Sequence, residues 1–83
     1  MNKKQLIKGI EQSAECICAE QRQPYSFCKL HYVYADVDYY GVGFAKTRYP
    51  DKWNTELGAL KAYRRAVADI YQQMVERAIG KAQ

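Results

Sequence analysis

The chain has 83 residues, 48% of them apolar and 27% charged, with a formal net charge of +4. That is one domain near the lower end of what a single core stabilises, and the apolar share excludes wholesale disorder. No run approaches the ~20 apolar residues of a membrane-spanning helix. The basic start Met1-Asn2-Lys3-Lys4 leads into a stretch broken by Lys8, Glu11, Gln12 and Glu15, which is no secretory apolar segment, so the expected compartment is the cytoplasm.

Residues 3–21 place Leu6, Ile7, Ile10, Ala14, Ile17 and Cys18 at helical spacing, with charge on the opposite face. The expected first helix therefore spans 3–21. Asn2 is its N-cap, Lys3 and Lys4 oppose its dipole, and Gln23-Pro24 ends it. The period then changes to two. Over 25–35, Cys28, Leu30, Tyr32 and Tyr34 share one face, and Phe27, Lys29, His31 and Val33 share the other. Asp36 and Asp38 suit a turn. Over 39–48, Tyr40, Val42, Phe44, Lys46 and Arg48 lie on one face, and Tyr39, Gly41, Gly43, Ala45 and Thr47 on the other. These two runs read as a β-hairpin. After Pro50-Asp51, Asn54 or Thr55 can cap a long helix over 55–79, with Glu56 in its first turn. Leu57, Leu60, Tyr63, Val67, Ile70, Met74 and Ala78 form its apolar stripe, and Gly80 is its expected stop.

The expected architecture is a single α+β domain, a two-layer α-β-β-α arrangement with the hairpin packed under both helices. Such a hairpin leaves two open edges, and sheet extension across a homodimer would cover them.

The chemistry-bearing residues narrow the function. Three cysteines, an odd number, make a poor disulfide framework. On a helix, Cys16 and Cys18 would point about 200° apart. On a strand, Cys28 and His31 would face opposite sides. Neither pair chelates in its expected element, so the cysteines read as buried small hydrophobes and no metal is expected. Gly41 and Gly43 lack the third glycine and the immediate helix of a nucleotide-binding loop. Two residues apart on a strand, they strip one face of side chains. With Tyr39, that face is expected to lie against a partner. His31 has no serine or cysteine nucleophile at a meaningful spacing. The chain is therefore expected to be no enzyme, to carry no cofactor and to bind no small-molecule substrate.

Charge is uneven. Residues 1–40 balance five basic side chains against five acidic ones, whereas residues 41–83 carry eight against four. A basic half fits an anionic partner, and +4 is also an ordinary solubility charge. Lys46, Arg48, Lys52, Lys61, Arg64 and Arg65, with Tyr49 and Trp53 interleaved, form the expected contact set for nucleic acid or another partner. Trp53 is better suited to plug the core where the helix begins. Eight tyrosines point to a binding or oligomer surface, or simply fill strand positions.

Gly41, Gly43, Ala45 and Lys46, followed by Ala59, Ala62, Ala66 and Ala68, resemble the second half of double-stranded-RNA-binding-domain-like folds. The layout over 41–70 is also similar to small domains carried by bacteria and their phages. The resemblance implies a lysine cluster at the start of the second helix and three strands. This chain has Asn54-Thr55-Glu56-Leu57-Gly58 there and offers two clear strands. The expected function is a non-enzymatic binding module, phage or mobile-element encoded, for nucleic acid or a nucleoprotein complex. The alternative is a protein–protein inhibitor of a host complex, of the anti-defence or anti-CRISPR type.

Overall fold

The structure is a computed structural model that describes residues 2–47 and 55–82. Helix α1 (Lys3–Ser13) leads into strands β1 (Glu15–Arg22), β2 (Tyr25–Tyr34) and β3 (Val37–Lys46), and α2 (Thr55–Ala82) follows. The strands form one antiparallel sheet in the order β1-β2-β3. The fold is thus α+β with both helices, but the order is α-β-β-β-α, one strand more than the periodicity suggested.

Helix α1 starts as expected at Asn2. The Asn2 side chain accepts from the Gln5 N–H at 2.9 Å, and the Gln5 side chain accepts from the Asn2 N–H at 3.3 Å. This capping box satisfies donors that the unfavourable Lys3 and Lys4 charges leave exposed. The helix stops at Ser13, eight residues before the expected end at 21, and Ala14 turns extended (φ −69°, ψ 138°). The reason lies in a β-bulge between Cys16 and Cys18. Cys16 pairs with Leu30 and Ala19 with Cys28, so the residues of β1 that share the face of Leu30 and Cys28 are three apart there instead of two. The bulge interrupts the period of two, and across it Ala14, Ile17 and Cys18 keep the helical spacing on which the longer helix was expected. Gln23-Pro24 is accordingly the turn between β1 and β2.

A second two-residue turn, Ala35-Asp36, joins β2 to β3 with φ of 51° and 63°. Positive φ at both positions matches the right-handed twist of a tight hairpin. Alternation then sorts the strands. Ser26, Cys28, Leu30 and Tyr32 of β2 and Tyr39, Gly41, Gly43 and Ala45 of β3 point inward and are buried. Ala62, Ala66, Val67, Ile70 and Met74 of α2 and Ile10 of α1 complete the core. Full burial of Ile10, Leu30 and Ile70 contributes about 1.5–3 kcal/mol each. Gly80 does not stop α2, which continues to Ala82.

The glycine pair sets the distance between the two layers. A Cβ on Gly43 would come within 2.6 Å of the Ala66 amide nitrogen and closer still to the Ala62 carbonyl oxygen. One on Gly41 would meet the Ala66 carbonyl and lie 2.5 Å from Ile70 Cγ1. The face of Tyr39, Gly41 and Gly43 is therefore occupied by the chain's own helix. The expectation of a partner there is corrected: bare strand and small-residue helix, Ala62 and Ala66, are complementary halves of one core.

The same helix closes the outer edge of β3. The Asp69 carboxylate accepts the Val42 N–H at 2.9 Å, Gln73 donates to the Tyr40 carbonyl at 2.7 Å, and Arg65 donates to the Phe44 carbonyl. Four helical residues rise about 6 Å and two strand residues about 7 Å, so the successive helix positions keep step with alternate strand positions. The two sheet edges thus differ: along β3 the Tyr40 carbonyl, the Val42 N–H and the Phe44 carbonyl are bonded by α2 side chains, which leaves that edge less open to extension. At β1 the Gln21 side chain reaches Ser26 Oγ at 3.2 Å and the Thr55 carbonyl at 2.6 Å. Most of β1 is exposed.

Gly43→Ala is expected to lower stability by about 1–3 kcal/mol or more, because helix backbone must move. Gly80→Ala, where nothing lies within 4 Å of the added methyl, should raise it by about 0.5–1 kcal/mol. Urea unfolding midpoints check both, and a neutral Gly43→Ala would contradict the close packing.

Candidate functional site

Among the described residues, no helix lies on the sheet's other face. On β2 it presents Tyr25, Phe27, Lys29, His31 and Val33, and on β3 Asp38, Tyr40, Val42, Phe44 and Lys46. Strand register orders these into rows: Arg22–Tyr25–Lys46, then Glu20–Phe27–Phe44, Cys18–Lys29–Val42 and Glu15–His31–Tyr40. Successive rows are about 7 Å apart. Phe44 is 59% exposed, and Tyr25 and Tyr40 are each 50% exposed.

Rings and cations alternate closely across this face. Phe27 and Phe44 meet at 4.9 Å between centroids, tilted by 52°, and His31 stacks on Tyr40 at 4.7 Å. Lys46 Nζ lies 5.7 Å over the Tyr25 ring and Lys29 Nζ 5.6 Å over Tyr40. At exposed sites each such contact is worth about 0.5–1 kcal/mol, enough to bias the lysine and too little to fix it. His31 Nε2 and Asp38 Oδ1 are 2.7 Å apart. Charge therefore changes along the face, from Arg22 and Lys46 at one end to Glu15 and Asp38 at the other.

The expected contact residues divide. Lys46 belongs to this face, beside Tyr25. Lys61 and Arg65 flank the β3 edge, where Arg65 is engaged with the Phe44 carbonyl. Arg64 is exposed on the side of α2 away from the buried Ala62 and Ala66. Arg48, Tyr49 and Lys52, with Trp53, lie outside the described residues. Tyr39, Gly41 and Gly43 lie under α2 and do not contribute. Residues absent from the expected set, namely Arg22, Tyr25, Phe27, Lys29, Tyr40 and Phe44, make up most of the exposed face. The signal for four of them, Phe27, Lys29, Tyr40 and Phe44, was the period-two alternation, which grouped rings with lysines but did not say which face was buried. Arg22 had no signal, since its strand read as helix.

The cysteines also differ from expectation. Cys16 and Cys18 sit on β1, not on a helix; Cys16 is exposed, Cys18 is half-buried, and Cys28 alone is buried. The Cys16 and Cys28 thiols are in contact beside a groove of about 340 Å³ that Ala19, Ala59 and Tyr63 also line. Burial, reinforced by Cys16 and then Cys18, pushes the Cys28 thiol up to about 11. Burial, then the Glu11 charge and Cys28, raises the Tyr63 hydroxyl above its ordinary value. Among the described residues no group of three or more His, Cys, Asp or Glu side chains is arranged to hold a metal ion. No described helix is long and apolar enough to cross a membrane.

No protein-family model matches the chain, and no curated protein matches it. Among solved structures, the crystal structure of Rv2632c is similar, with a TM-score of 0.70 and 19% identity over 84% of each chain. At that identity the likeness shows the fold alone.

The thiol and phenol shifts have a stability consequence. Folded Cys28 keeps a proton that the unfolded chain releases near its ordinary value of 9.0. The stabilisation is complete below about pH 9 and is lost as pH rises through about 11. Tyr63 acts in the same direction. Unfolding midpoints should fall above pH 9, and Cys28→Ala should flatten part of that fall. A midpoint that rises with alkaline pH would contradict the buried, protonated thiol.

Proposed function

We propose that the protein is a non-enzymatic binding module that contacts nucleic acid through the open sheet face and the basic rim beside it. The observation that carries this is the row Arg22–Tyr25–Lys46, adjoining Glu20–Phe27–Phe44: three rings on an exposed face, with two cations against one acid. Lys29 lies one row further, and Lys61 stands at the neighbouring end of α2. The second half of the chain, where Lys46 and Lys61 lie, also holds the whole charge excess. Cations of this kind bind phosphate by releasing condensed counterions, which needs no deep pocket. The three-strand order brings the fold nearer to the double-stranded-RNA-binding-domain-like layout that the sequence resembles. The apolar area of Ile17, Val33, Val42 and Phe44, together with the exposed strand β1, favours a second reading, a protein partner on the same side of the molecule.

Fluorescence anisotropy with labelled RNA and DNA tests the proposal. Binding should weaken steeply between about 50 and 200 mM salt. Arg22→Glu and Lys46→Glu should each reduce the slope of log K against log salt by about 0.7 or more on single strands. Absence of binding at low salt, or binding indifferent to salt, would contradict it and favour the protein-partner reading.

A further inference from the structure

Resting on that reading, we infer that the nucleic acid is single-stranded and that two or three of its bases stack on the rings of the helix-free sheet face, chiefly Phe44, Phe27 and Tyr25. The argument begins with what is exposed. Cations alone suffice for a duplex, whose bases are stacked on one another and whose outer surface is phosphate. A phosphate ridge gains nothing from a phenylalanine, and it loses hydration over it. Here Phe44 is the most exposed large apolar side chain among the described residues, at 59%, and it stands in the middle of the basic end. An unpaired base has a free π-face that such a ring can cover, whatever the base identity.

Spacing and charge agree with this occupant. Rows about 7 Å apart let successive nucleotides of an extended strand address successive rows. The first two rows supply Tyr25, Phe27 and Phe44; Arg22 and Lys46 flank the first, and Glu20 stands at the β1 end of the second, so a strand would pass on the β3 side of that row. Lys46 already lies over the Tyr25 ring, so it stands beside any base placed there, where the adjoining phosphate passes. Lys29 holds the same relation to Tyr40 two rows on. Beyond that point Glu15 and Asp38 repel a backbone, which confines the contact to the basic end. A three-stranded sheet with exposed rings in neighbouring rows, covered by helices only behind, is a surface on which unstacked bases lie flat. The same face offers no groove or protruding helix to follow a duplex groove.

The test uses the full chain, a short oligothymidine or oligouridine strand, and a duplex of equal length. Wild type should bind the single strand more tightly than the duplex. Phe44→Ala should weaken single-strand binding by about 5- to 150-fold. Phe44→Tyr should largely restore it, and Phe44→Leu, which keeps apolar area without a π-face, should not. A 2-aminopurine base in the strand should be quenched on binding by wild type and less so by Phe44→Ala. Because Phe44 is exposed, thermal unfolding is expected to show each variant folded; Phe27→Ala provides a second site if it does not. Duplex binding equal to or tighter than single-strand binding, with no effect of Phe44→Ala or Phe27→Ala, overturns the inference while leaving a nucleic-acid module. Failure of both nucleic acids to bind at low salt overturns the module itself, and the inference with it.

Discussion

The structure depends on the close approach of the α2 backbone to β3 at Gly41 and Gly43. Two missing side chains on the strand, met by Ala62 and Ala66 on the helix, bring main chain against main chain where ordinary residues would hold the layers apart. The rest follows from that contact. Ile70 and Met74 reach into the same layer as Leu30 and Tyr32. Arg65, Asp69 and Gln73 come within hydrogen-bonding range of the β3 edge. A helix lifted by even one methyl layer would lose these side-chain bonds and reopen the edge.

This packing also decides which surfaces are left. Both helices are spent on one side of the sheet, with Tyr63 of α2 donating to the Glu11 carbonyl of α1 at 3.3 Å. Among the described residues no third layer covers the opposite side. Leaving Phe44, Tyr25 and Tyr40 in water gives up burial that the core could have used, and alternation alone would be satisfied by serine or threonine at those positions. Tyr25 and Tyr40, each under a lysine, and Phe44, packed on Phe27, are the solvated rings on which the proposed contact rests.

Much of this was legible in the sequence. The alternation of β2 and β3 sorted the residues from Phe27 to Val33 and from Tyr39 to Lys46 into the sets that share a face, without saying which set the helices cover. Asn2 announced its cap, and the long helix from Thr55 followed from a repeat sustained by Leu60, Tyr63, Val67, Ile70 and Met74. Strand β1 was hidden because Ala14, Ile17 and Cys18 continue the helical spacing of α1 across a bulge that interrupts strand alternation. The occupant of the glycine face was hidden because periodicity says that a face is bare and not what fills it. The edge bonds of Arg65, Asp69 and Gln73 could not be read for a similar reason. Their spacing marks a helix face, yet only the tertiary packing shows that it meets a strand edge. Among the described residues, Lys46 was the one expected contact residue placed on the exposed face; the rings around it were grouped in the sequence and not recognised as a site.

The central claim is that the helix-free face is the contact surface, and amide chemical-shift mapping tests it most directly. On adding a short single strand to 15N-labelled protein at low salt, the account predicts shifts concentrated at Arg22, Tyr25, Phe27, Lys29, Phe44 and Lys46, with Leu30, Ala62, Ala66 and Ile70 unmoved. Shifts centred on α1 or on the solvent side of α2 around Arg64, with the sheet face silent, would contradict it.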